Sequence, residues 1–201
     1  MVPAIEMLPE TNRRKGFFEQ EEYEAVLARL PDQLKGVLTV GYWTGMRKEE
    51  IQGLKWDQID LFNRLAYRER TKNGEDRTLP LNDELSAVFE RQAAARWHAC
   101  AYVFYRGPEC IHDFRNAWAA ATKAAGCPGR LFHDLRRTGV RNLIRAGMAQ
   151  SVAMLISCRK DARMLARYNI ADARDVQYAM QKVSAYEARK REDRRLRLEV
   201  E

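Results

Sequence analysis

Apolar positions along this chain recur mostly at three- and four-residue intervals, the spacing that gathers them on one face of a helix. "EQEEYEAVLARL" reads as an amphipathic helix with an acidic first turn. Pro31 ends it, because proline lacks the N–H that a continuing helix needs. "DQLKGVLTVGYWTG" predicts a second, largely buried helix, with Gly45 as a left-handed cap. "MRKEEIQGLKW" resumes helically for about two turns. "NDELSAVFERQAAARW" begins on an asparagine cap and runs as a helix. Further helices are predicted over 111–125, 133–146, 149–157, 161–168 and 172–192.

Strand-like segments are few. "RLAYRERTKNGEDRTLPL" places two of them around Asn73-Gly74, a pair that tolerates the positive φ angles of a tight hairpin turn. Pro80 closes that hairpin, and "AYVFY" predicts one more short strand. No internal repeat or low-complexity tract is present. The expected fold class is therefore mainly α with a small antiparallel β-sheet (α+β). Residues 1–16, with two prolines and "RRK", read as a linker or tail; 17–185 form one domain; 186–201 are a charged tail that could fray or dock elsewhere.

Composition narrows the class without naming a function. With 201 residues, 46% hydrophobic and 31% charged, the chain suits one globular domain. No apolar run approaches the roughly 18 residues of a membrane span. "MVPAIEMLPE" lacks the basic end and apolar core of a secretory signal, so a cytoplasmic protein is expected, with no membrane partner. Four separated cysteines without a CxxC pair point to a reduced state, no metal site and no cofactor.

Charge changes the picture more. The net charge is +7, and 26 of the 35 basic residues are arginine, whose planar fork matches phosphate oxygens. From Arg130 to Arg167, nine Lys or Arg face two acids, Asp134 and Asp161, so this one segment holds a charge of 9 − 2 = +7. Within it, "FHDLRRTGVRNLIRAG" combines an apolar stripe with His133, Arg136, Arg137, Arg141 and Arg145. Phosphate binding by a rigid helix is the reading these positions favour.

Four local patterns carry candidate chemistry. In "TGMRKEEI", Arg47 follows a glycine-capped turn and Glu50 stands three residues on, on the same helical face. Lys72 sits beside the hairpin turn, His133 and Arg136 share an i, i+3 face, and Tyr168 follows in "LARYNI". Each has a plain alternative: an exposed ion pair, a solvated lysine, a capping histidine, a packed tyrosine.

Together, "TGMRKEEI", "TKNGEDRTLPL", "HDLRR" and "RYNI" resemble the tyrosine recombinase, or phage integrase, family, in its order and at its spacing. The resemblance covers about Gly16 to Val183 and implies the catalytic-domain fold of that family. It implies that Arg47 and Arg136 clamp the scissile phosphate of double-stranded DNA, with Glu50 supporting the first arginine. Lys72 is then the proton donor to the leaving 5′ oxygen, His133 the proton-transfer histidine and Tyr168 the nucleophile. Neither metal nor cofactor is implied.

Where the family usually has a Gly-His pair ten and nine residues before the tyrosine, this chain has Cys158 and Arg159. Arg159 can donate to a phosphate oxygen but cannot exchange a proton. Arg137, Arg141, Arg145 and Lys160 are the expected DNA contacts, and self-association on DNA through the C-terminal tail is expected too. Two further readings stay open: a catalytically impaired DNA-binding relic or modulator of a recombinase, and a type IB topoisomerase. The family's N-terminal clamping domain does not precede these motifs, so a catalytic fragment, or a partner supplying the other half, is expected.

Overall fold

In the computed structural model, residues 16–68, 77–157 and 173–198 are described. Helix α1 (Gln20–Arg29) is followed after Pro31 by α2 (Asp32–Thr44) and the short α3 (Lys48–Gln52). Strands β1 (Ile59–Asp60), β2 (Leu65–Arg68) and β3 (Arg77–Pro80) form an antiparallel sheet in that order. Helix α4 (Asp83–Ala94) leads to a two-residue ladder of β4 (Tyr105–Arg106) with β5 (Glu109–Cys110). Then come α5 (Arg115–Ala124), α6 (Phe132–Arg145), α7 (Gln150–Ile156) and α8 (Ala173–Leu198).

Most of these elements stand where periodicity put them. Asn82 caps α4 by accepting the Leu85 N–H at 3.0 Å, and Gly45 closes α2 at φ +64°. The hairpin arms pair from Leu65↔Pro80 to Arg68↔Arg77, while the turn with Asn73-Gly74 lies outside the described residues. So does the helix expected over 161–168.

Five details differ from the sequence expectation. The segment "AYVFY" is no five-residue strand: Tyr105 joins a ladder, Tyr102 makes an isolated antiparallel bridge to Lys55, and Val103 and Phe104 are buried. Core insertion accounts for the apolar Val103 and Phe104. Helix α5 starts at Arg115 instead of residue 111, because the Asp113 carboxylate takes the Arg115 N–H and ends the preceding extended run. Helix α3 stops at Gly53 after five residues, short of the anticipated length. The two-residue β1 was not foreseen, being too short to show alternation. At the C-terminus, α8 continues past 192 to Leu198.

The core gathers Phe18, Val26, Leu34, Leu38, Ile51, Phe89, Phe104, Ile111 and Leu135, so both hairpin and helices feed one apolar centre. Its decisive contact for function is α2 against α6. A Cβ on Gly139 would lie 2.7 Å from the Gly45 nitrogen and 2.9 Å from the Tyr42 carbonyl oxygen. Only a glycine lets the two backbones approach this closely, and a methyl there is overpacking of the kind that costs about 1–3 kcal/mol. The close approach sets the start of α6 beside the chain that leaves α2.

Candidate active-site cleft

Two chain segments separated by some 86 residues meet at that crossing. The turn after α2 delivers Met46, Arg47, Lys48 and Glu49, and the first turns of α6 deliver Phe132, His133 and Arg136. These side chains line an open cleft of about 240 Å³. Arg47, His133 and Arg136, singled out from the sequence, are therefore brought together. Lys72, Arg159, Lys160 and Tyr168 lie outside the described residues.

Each described side chain is held differently. Arg47 donates from Nη1 to Glu50 Oε1 at 3.0 Å, and its N–H donates to Glu50 Oε2 at 2.8 Å. Glu50 is mostly covered (12% exposed) while Arg47 is open (55%), so the carboxylate orients a guanidinium that still reaches solvent. Arg136 is buried, and its Nη1 donates to the Gly45 carbonyl at 2.7 Å. That bond fixes the guanidinium at the cleft wall. His133 is exposed at the cleft mouth.

The start of α6 is itself well supported. Asp134 is fully buried and accepts the Leu131 N–H at 2.9 Å, satisfying an orphan amide of the first turn. Phe132 packs edge-on to Phe114 and Trp118, with ring centroids 5.4 and 5.2 Å apart, so one cleft wall is aromatic. Neither Lys48 nor Phe132 was singled out from the sequence. Lys48 was in view beside Arg47 in "TGMRKEEI"; nothing local marked Phe132.

The expected DNA contacts Arg137 and Arg141 are engaged within the protein. Both are buried, and both guanidinium groups lie over the Phe17 ring, at 5.3 and 4.5 Å from its centroid. Arg141 also donates to Glu19 Oε1 at 2.8 Å and to the Phe18 carbonyl at 3.1 Å. The Phe18 N–H donates to Thr138 Oγ1 at 2.8 Å, and Arg130 pairs with Glu22 at 2.8 Å. Residues 16–22 thus form a strap along α6 that takes up much of the charge the sequence assigned to DNA. Arg145, in the last turn of α6, is half-buried.

Two tyrosines near the crossing are poor nucleophile candidates. Tyr23 and Tyr42 stack at 3.9 Å, and burial pushes both hydroxyls up from the ordinary tyrosine value. The Tyr105 hydroxyl is engaged with the Ala95 carbonyl at 2.8 Å.

The model of the phage integrase family matches residues 16–174, and the chain belongs to that family. It is 28% identical over 180 residues to the integrase of Salmonella phage P22, covering 83% of this chain and 46% of that protein. It is 29% identical over 154 residues to the shufflon-specific DNA recombinase of Escherichia coli, covering 76% and 37% respectively. The chain thus spans less than half the length of the curated relatives it matches. The crystal structure of XerA recombinase superposes with a TM-score of 0.72 at 16% identity, covering 87% of this chain and 66% of that one. That likeness makes the tyrosine recombinase catalytic-domain fold the architecture of this chain. No helix among the described residues is long and apolar enough to cross a membrane.

Proposed function

We propose that this chain cleaves and rejoins double-stranded DNA at specific sites through a covalent 3′-phosphotyrosine at Tyr168. The observation that carries the reading is the convergence of Arg47, His133 and Arg136 in one cleft, from segments far apart in sequence. Attack by the Tyr168 oxygen on phosphorus places negative charge on the non-bridging oxygens. Arg47 and Arg136, held in advance by Glu50 and the Gly45 carbonyl, stabilise that charge without reorganising. One such donor is worth roughly 3–4 kcal/mol of barrier.

In this reading the bond from phosphorus to the 5′ oxygen breaks as Lys72 protonates the leaving oxygen. His133 assists proton transfer around the nucleophile, and Arg159 donates to the phosphate in place of the histidine usual in the family. A second strand's hydroxyl then reverses the attack, so no metal or cofactor enters. Arg145 and Lys160 remain proposed backbone contacts. The exposed Val176, Met180 and Val183, spaced along one face of α8, support self-association of DNA-bound copies. A cytoplasmic site of action fits this substrate.

The test is incubation of the full chain with a nicked suicide duplex in excess EDTA. A covalent protein–DNA adduct is expected from the wild type, and none from Tyr168→Phe, which should still bind the duplex. An adduct that forms only with added Mg²⁺ defeats the mechanism. The pair Cys158-Arg159 favours a second reading, a DNA-binding relic; binding without any wild-type adduct, with activity appearing in Cys158→Gly plus Arg159→His, selects it.

A further inference from the structure

Among the described residues, Lys48 is the one cleft-lining cation without a task in the proposed reaction. It is the first residue of α3, directly after Arg47, and it is half-buried. Its Nζ lies 5.5 Å from the centroid of the Phe114 ring, which in turn stands edge-on to Phe132 in the cleft wall. The ammonium is thereby held over an aromatic face, which reduces the freedom an exposed lysine would have to lose on binding.

No carboxylate among the described residues comes within 4 Å of that ammonium. Asp113 is close enough to feel its charge, but its two oxygens are already forked by Arg115 at 2.8–3.1 Å. Charge counting sharpens the point. Leaving His133 aside, the residues lining the cleft carry Arg47 and Arg136 against Glu49, a sum of 2 − 1 = +1. Lys48 brings it to +2.

We propose that Lys48 is a DNA-phosphate contact of the cleft, holding a backbone phosphate that flanks the one clamped by Arg47 and Arg136. The proposal rests on the DNA reading of the same cleft and adds a residue to it. An ammonium is a compact point charge without the arginine fork, so it suits an electrostatic contact that positions the duplex and reads no base. Neutralising one such contact lowers the slope of log affinity against log salt by about 0.9.

Lys48→Met keeps a flexible apolar stem against Phe114 and removes only the charge, whereas Lys48→Arg keeps the charge. Duplex affinity of the full chain is measured across a salt series for both and for the wild type, with thermal unfolding alongside. Lys48→Met is expected to lower the slope by about one, with an unchanged unfolding temperature, and Lys48→Arg to restore it. An unchanged slope in Lys48→Met, with the wild type binding normally, overturns this inference and leaves the DNA reading intact. A lost slope in both variants, or one accompanied by a fall in unfolding temperature, makes Lys48 structural. A wild-type chain that binds no duplex at all overturns the DNA reading itself.

Discussion

Arg136 and Arg141 stand on the same helix and were equally basic on paper, yet α6 uses them for opposite purposes. Arg136 points to the crossing with α2, donates to the Gly45 carbonyl and lines the cleft. Arg141, five residues on and so about 140° around the helix, meets the strap and is paired with Glu19. The lesson concerns partners rather than charge. What separates the two arginines is where each guanidinium is delivered, Arg136 to the cleft wall and Arg141 to the strap at Phe18 and Glu19.

The strongest way to break this contrast is Arg136→Ala. Losing a preorganised donor to the developing oxyanion should slow single-turnover cleavage roughly 10²–10³-fold. Equal rates in variant and wild type would remove Arg136 from the reaction. A smaller effect of a different kind is expected from Arg141→Ala. It forfeits hydrogen bonds from a charged, covered group, a loss of about 2 kcal/mol, which for a chain of this size lowers the unfolding temperature by some 4–8 °C. The salt dependence of duplex binding should not move; a slope reduced by one would return Arg141 to the DNA face.

The least effect should come from Glu19→Gln. Glu19 is 60% exposed, so its ion pair with Arg141 is screened by solvent and is worth about 1 kcal/mol or less. Thermal melts of the two single variants and the double variant give the coupling directly. A coupling well above that figure would mean that the strap is held chiefly by this pair. Packing of Phe17 and Phe18 would then be secondary.

Much of the fold was legible because helices announce themselves locally. The Asn82 cap, the Gly45 stop and the two hairpin arms all depend on residues within a few positions of one another. The Arg47–Glu50 pair was legible for the same reason, as was the shared side of His133 and Arg136. The β1 strand, the irregular path of Val103-Phe104 and the late start of α5 were not. Each is decided by a partner elsewhere in the chain or by a single side-chain cap, and neither leaves a periodic trace.

The sequence by itself determined the helical class, the family and the residue types of the cleft, since short-range spacing and motif order carry all three. It also determined that positive charge would concentrate on α6. Only the tertiary structure decided which of those charges reach the cleft. That choice depends on Phe17, Phe18 and Glu19, more than a hundred residues before Arg141, closing on one side of the helix. It depends equally on Gly139, which lets α2 approach the other side. A carboxylate, a ring face and a backbone carbonyl select among like charges by distance, and distance exists only once the chain has packed.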